Sequence, residues 1–204
     1  MATTSEDGTR TAEPRRSVSR RSFLRFTLGI GTAGSLGAFG AAALGFMWPQ
    51  LGEGFGATID LGSAAELAAE IRSERAPFVY PQGRLYVITW DPSVPGAEAQ
   101  YGPDHVVLGP ELGLMALYQK CPHLGCRVPW CQVSQWFECP CHGSKYNRWG
   151  EFARPPAPRG MDRFPSQVND DGHLLVNTSI VLEGPARTAR VLSQDPEGLH
   201  CVDM

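Results

Sequence analysis

Two short blocks constrain this chain more than any other feature: Cys121-Pro122-His123-Leu124-Gly125-Cys126 and Cys139-Pro140-Cys141-His142-Gly143-Ser144-Lys145-Tyr146. They gather four of its six Cys and two of its five His, with a strand-like run (residues 135–138) and a tryptophan-rich connection between them. Each block offers one Cys and one His able to grip a metal, plus one further Cys. Two thiolates with two imidazoles suit zinc or an iron–sulfur centre. The remaining Cys of each block is free to pair with the other and tie the loops together. Whatever fold the chain adopts has to bring both loops to one point.

The second constraint lies upstream. Residues 26–48 contain no Asp, Glu, Lys or Arg across 23 positions. As a helix they would be about 34 Å long, enough for the ~30 Å hydrocarbon core of a membrane. Small residues four apart, Gly34 with Ala38 and Gly37 with Ala41, would let a neighbouring helix come close. Trp48 and Pro49 supply an interfacial aromatic and a helix stop. A buried helix of a soluble protein is the competing reading, but such helices seldom run this long without a charge. Charge is distributed to match: residues 1–25 carry six Arg against Glu6, Asp7 and Glu13, while the remainder holds 12 basic and 18 acidic side chains. By the positive-inside rule, the N-terminal arm faces the cytoplasm and the body lies outside. A sequence pI near 5.9 leaves no phosphate-neutralising surplus, so nucleic acid is not an expected partner.

Ser19-Arg20-Arg21-Ser22-Phe23-Leu24-Arg25 resembles the twin-arginine export signal, an address read on proteins that cross the membrane already folded. Ala41-Ala42-Ala43 would serve as a small-residue cleavage site. The uninterrupted length of the apolar run favours a retained, single-pass anchor in a bacterial cytoplasmic membrane.

Beyond the anchor, residues 49–57 carry three Gly and no apolar periodicity and read as a flexible tether. Ser63-Ala64-Ala65-Glu66 fits a capping box, and Ala64, Leu67, Ala68 and Ile71 fall on one face of a short helix ending near Ser73. The rest reads as strands. Phe78-Val79-Tyr80 and Leu85-Tyr86-Val87-Ile88 flank a turn, and further runs lie at 106–108, 114–119, 135–138, 164–169, 174–177 and 189–192. Asn169-Asp170-Asp171-Gly172 marks a tight turn. Residues 91–105 show no strand pattern and read as a surface loop. Many short strands separated by turn residues predict an all-β antiparallel sandwich or small barrel over residues 58–204. Gly and Pro together make 40 of 204 residues, rich in turns but below the roughly 25–30% of low-complexity chains.

Cys-x-His, then 15 residues, then Cys-x-x-His resembles the Rieske proteins, in which two His replace two Cys on one iron of a [2Fe–2S] cluster. The resemblance is close in the two blocks and looser in the layout of signal, anchor, tether and β-rich head. It implies a cluster-binding subdomain (about residues 118–158) inserted in the head. It implies that Cys121 and Cys139 hold the inner iron and His123 and His142 the outer one. It further implies a disulfide between Cys126 and Cys141, suited to an oxidising compartment. Ser144 and Tyr146 take the places of hydroxyls that tune the potential, one toward a bridging sulfide and one toward the Cys121 thiolate. Leu124 matches an exposed apolar residue that shields the cluster and helps the head dock. Arg154-Pro155-Pro156-Ala157-Pro158 fits the proline-rich loop over the cluster, although Pro155 stands where relatives start with Gly. Zinc is the weaker alternative, since a zinc site needs neither the additional Cys pair nor the Gly-Ser-x-Tyr that follows His142. Cys131 and Cys201 form either a second disulfide or two buried thiols. His105, His173 and His200 read as surface residues.

Membrane-anchored members of this family serve quinol:cytochrome c oxidoreductases. The resemblance therefore implies an electron-relay subunit, not catalytic alone, working with a cytochrome b subunit and a c-type cytochrome subunit. His123 and His142 would form the edge that meets the quinol. The small Rieske subunit of a periplasmic arsenite oxidase is the alternative, and signal cleavage would favour it. A Rieske ferredoxin feeding an oxygenase fits less well, because those usually lack both the Cys126/Cys141 pair and the anchor.

Overall fold

The computed structural model describes residues 19–47 and 54–203, which fall into two units divided after Gln50. The expected tether residues 49–53, the closing Trp48-Pro49 and the arm 1–18 lie outside the described residues.

The first unit is one helix, α1 (Arg20–Met47), 28 residues long. It starts earlier than the uncharged run and takes in the arginine pair, because the Ser19 hydroxyl accepts the Ser22 N–H at 3.2 Å and caps its first turn. Thr27 and Thr32 turn their hydroxyls back onto helix carbonyls, so neither leaves an unpaired donor on the apolar surface. None of its residues is buried, and its apolar window is long enough to cross a membrane.

The second unit runs β1 (Thr58–Ser63), α2 (Ala64–Glu74), β2 (Phe78–Tyr80), β3 (Leu85–Trp90), α3 (Ala97–Tyr101), β4 (Val106–Gly109), β5 (Leu112–Tyr118), β6 (Trp130–Cys131), β7 (Trp136–Glu138), β8 (Lys145–Tyr146), β9 (Phe152–Arg154), β10 (Arg163–Phe164), β11 (Ser166–Val168) and β12 (His173–Asn177). All pairings between these strands are antiparallel, in three sheets: β1-β12-β11, β10-β5-β3-β2 with β4 on β5, and β6-β7-β8-β9. The antiparallel β class expected from the turn-rich composition is what the chain forms.

The β3–β5 pair is the spine, and its two-residue period builds two cores. Leu85 and Val87 pair with Tyr118 and Ala116, and these face Ile59, Leu67, Leu174 and Val176, under α2 and the β1-β12-β11 sheet. Tyr86 and Ile88 pair with Leu117 and Met115 and face the other way, toward Phe137, Tyr146, Trp149, Cys121 and Cys139. The two Cys/His blocks thus rest on one face of a sheet whose opposite face is held by a separate core. Helix α2 forms as its sequence requires: the Ser63 hydroxyl accepts the Glu66 N–H, and Ala64, Leu67, Ala68 and Ile71 are buried. It stops at Arg75, in the left-handed region at φ 51°, two residues before Pro77.

Four expectations need correction. Residues 91–105 are not a plain surface loop: they contain α3, which buries Ala97 and Tyr101. The run at 164–169 splits at Pro165, which has no N–H to give a ladder, so β10 pairs with β5 and β11 with β12. Residues 189–192 form no strand, because the Val191 and Leu192 N–H groups donate to the buried Glu151 carboxylate instead of to a neighbouring strand. Residues 54–57 belong to the head: Phe55 stacks on Tyr118 at 5.4 Å, and Gly56 and Ala57 donate to the Thr178 hydroxyl.

Candidate metal centre

The two blocks fold into loops of one design. In the first, the Gly125 N–H returns to the Cys121 carbonyl (2.9 Å), and the Cys121 N–H donates to the Cys126 carbonyl (2.7 Å). In the second, Gly143 returns to Cys139 (3.1 Å), and the Cys139 N–H donates to the Ser144 carbonyl (2.8 Å). Both Gly sit at positive φ, 86° and 78°, where a side chain would be strained. A β-bridge between Lys120 and Arg127 closes the first loop at its neck, and β7 and β8 close the second.

The Cys126–Cys141 disulfide joins the loops, with Cα atoms 6.6 Å apart. The sulfurs of Cys126, Cys139 and Cys141 lie within 4.8 Å of one another, but two of them are consumed in that disulfide. Only Cys121 and Cys139 are free thiols among the described residues, and each is 1% exposed. His123 and His142 lie on the outer side, half-buried and exposed respectively, with ring centroids 4.8 Å apart at 89°. Leu124 beside them is 71% exposed. Sulfur donors inside and nitrogen donors at the surface are the set that a mixed thiolate–imidazole iron–sulfur centre takes.

Surrounding groups match that set. The Tyr146 hydroxyl lies 3.1 Å from the Cys121 sulfur. Burial, and then the Cys121 sulfur, hold its pKa far above the ordinary tyrosine value, so it stays protonated and able to donate. Burial pushes the Cys139 thiol up, while the backbone N–H groups of Cys141 and His142 pull it down. Ser144 is fully buried, and its hydroxyl oxygen accepts the Ala157 N–H at 3.0 Å, which seats the proline-rich loop on the second block. Arg187 fastens that loop from the other side, donating to the carbonyls of Ala157 (2.9 Å) and Pro156 (3.1 Å).

Much of what supports the site was left open or hidden in the sequence. Cys131 and Cys201 form a second disulfide, which ties the C-terminal segment to β6. Glu138, fully buried at the end of β7, accepts from Ser134, His200 and the Val202 N–H. Burial alone would raise its pKa, but these donors together hold it below the usual carboxylate value. The fully buried Lys145 ammonium donates to the Val202 carbonyl at 2.6 Å. His200 is therefore no free surface histidine, and His105 is buried at 6% exposure; His173 does lie at the surface, paired with Asp60. A lone acid inside Trp136-Phe137-Glu138 was the available signal for the Glu138 network.

Residues 94–165 match the family model of the Rieske [2Fe-2S] domain. The cytochrome b6-f complex iron-sulfur subunit of Prochlorococcus marinus subsp. pastoris is 33% identical over 165 residues, covering 78% of this chain and 85% of the relative. Iron-sulfur subunit 2 of the same kind of complex from Nostoc is 47% identical over 57 residues, 28% of this chain and 32% of its own length. Among solved structures, the plasma membrane Rieske protein of Synechocystis is similar at 23% identity over 58% of this chain and 97% of that one, with a TM-score of 0.37. On the strength of the long Prochlorococcus match and the paired Cys/His loops, the chain belongs to the Rieske family of [2Fe–2S] electron-transfer proteins.

Proposed function

We propose that the protein is the membrane-anchored iron–sulfur subunit of a bc-type quinol:cytochrome c oxidoreductase. In this reading Cys121 and Cys139 hold the inner iron and His123 and His142 the outer one. The bound cluster supplies a one-electron redox centre. The chain's own residues do the rest. Cys126–Cys141 locks the two loops, Tyr146 donates to the Cys121 thiolate, and Ala157 fixes the Ser144 hydroxyl through its N–H. The observation that carries the reading is the adjacent pair of imidazoles at the surface, backed by two buried thiols that no disulfide claims.

At that edge, the ring nitrogen of His123 or His142 that metal would leave free would be available to a quinol. With its lone pair free, that nitrogen would accept a hydrogen bond from a quinol hydroxyl, orient it and take its proton. Leu124, 71% exposed next to His123 in the chain, offers an apolar surface for a partner to dock against. The electron then passes to a c-type haem, with cytochrome b and c-type cytochrome subunits as partners. The relatives' place in cytochrome b6-f complexes supports this reading over the arsenite oxidase alternative. The two disulfides and the arginine-rich arm support a head on the outer side of a bacterial membrane and a cytoplasmic N-terminus.

A redox titration of the full-length, cluster-loaded chain, read by low-temperature electron paramagnetic resonance, tests this. A positive midpoint toward the upper end of the roughly −150 to +300 mV span of such centres is expected. A midpoint near the lower end contradicts the quinol role.

A further inference from the structure

Charge in the head is divided between the cluster-binding part and the rest. Residues 118–158 contain five basic side chains and two acidic ones, Glu138 and Glu151, and both acids are 0% exposed. Glu138 is spent on Ser134, His200 and Val202, and Glu151 on Tyr101, Asn147 and the backbone of Val191 and Leu192. The exposed charge of the cluster-binding part is therefore entirely positive. The rest of the described head reverses this, with 7 basic against 15 acidic side chains. Two of the five cations are already engaged: the buried Lys145 is held by the Val202 carbonyl, and the partly exposed Arg148 pairs with Glu197.

Of the other three, Lys120 and Arg127 meet Arg84 from the turn before β3, while Arg154 lies outside the cleft. Arg84, Lys120 and Arg127 line one cleft of about 370 Å³, with Tyr118 and Gly125 in its wall. Lys120 sits over the Tyr118 ring and Arg84 over the Phe55 ring, 5.9 and 5.4 Å from the centroids. Lys120 and Arg127 are the bridge partners at the neck of the loop that carries His123. Among the described residues no carboxylate lies within ion-pairing distance of any of the three. Three like charges gathered in one cleft repel one another, at a cost that an incoming negative surface would relieve.

We infer that this basic cleft is the docking surface for an acidic face on the redox partner that receives the electron. A partner has to approach the histidine edge for fast transfer, and the cleft shares a loop with that edge: Lys120 and Arg127 close the neck of the loop that carries His123, and Gly125 of the same loop lines the cleft. The cations steer a negative surface toward the one useful orientation, while the acidic remainder of the head repels it elsewhere. An anionic lipid headgroup has the same charge, but lipid seated here would cover the edge through which the electron leaves.

This inference rests on the relay reading above, and the experiment separates the two. Full-length, cluster-loaded protein in detergent micelles is reduced and mixed by stopped flow with ferric cytochrome c, which is basic, or with its succinylated form, whose lysines carry carboxylates. Each encounter moves one electron from the reduced cluster to one ferric haem. At low ionic strength the succinylated form is expected to react at least tenfold faster, with the advantage shrinking as salt rises. The chain's net charge of −3, acting as a whole, would give the opposite preference. Arg84→Glu with Lys120→Glu and Arg127→Glu is expected to invert the preference with the cluster signal intact. The corresponding triple Gln variant, expected to abolish it, serves if the Glu variant does not load. Faster reduction of the basic form by the unmodified protein, or a preference that survives either triple, overturns the inference. So does a preference that vanishes in phosphatidylglycerol nanodiscs and persists in phosphatidylcholine ones, since lipid would then fill the cleft. A preparation with no cluster signal and no transfer to either haem protein overturns the relay reading itself.

Discussion

Tyr146 shows how one side chain is set by its surroundings. It is wholly buried, it cannot ionise at ordinary pH, and its one polar atom meets the Cys121 sulfur. A hydrogen bond to a ligand sulfur strengthens as the centre gains an electron, so it stabilises the reduced form. Tyr146→Phe is expected to lower the midpoint potential with the resonance signal retained, by about 59 mV for each tenfold change in the one-electron equilibrium. An unchanged potential would remove Tyr146 from that role. His105 makes the opposite kind of statement. Burial, and then the nearby Arg163 guanidinium, push its pKa down to about 3 from an ordinary 6.5. The unfolded chain therefore binds a proton that the native state refuses as pH falls from about 6.5 toward about 3. Stability is intact above that window and declines through it, by no more than about 5 kcal/mol in total. Denaturant melts across these pH values should show the decline, and His105→Leu should flatten it.

These two residues also mark what a reader of the sequence can and cannot see. The ligand-type residues, Ser144 and Tyr146 are legible because they sit in two short blocks with fixed spacing. His105, Glu138 and Glu151 are not, because their surroundings come from distant parts of the chain: the Val202 N–H reaches Glu138 across 64 residues, and the Val191 N–H reaches Glu151 across 40.

Among elements, those with local codes were readable. Helix α2 follows its cap and its apolar face, and the β2–β3 hairpin follows two β-rich runs around a turn. Elements defined by their partners were not: β6, β8 and β9 are only two or three residues each and exist because they pair in one sheet. Phe55 likewise looked like tether and instead packs against Tyr118 and Phe164. The C-terminal segment is the largest such case. It carries no secondary-structure pattern, yet it is fastened by Cys131–Cys201, by Glu197 to Arg75 and Arg148, and by Val202 to Glu138 and Lys145. The disulfide closes a loop of 70 residues, so replacing both Cys131 and Cys201 with Ser is expected to cost about 2–4 kcal/mol. Because neither Cys belongs to the proposed ligand set, the cluster spectrum should survive while the melting temperature falls. Loss of the cluster at temperatures where the variant is still folded would show instead that the segment shapes the site.

At the scale of the molecule, the β3–β5 spine separates two cores, so the metal centre rests on a platform stabilised from behind. The long match to a cytochrome b6-f iron-sulfur subunit and the free pair of buried thiols converge on a two-iron centre with mixed ligands. Metal and sulfide analysis of the purified full-length chain, with its electron paramagnetic resonance spectrum, tests that claim most directly. Two iron atoms and two acid-labile sulfides per chain are expected, with a signal on reduction that His142→Ala abolishes. Stoichiometric zinc without sulfide, or iron and signal that persist unchanged in His142→Ala, would contradict it.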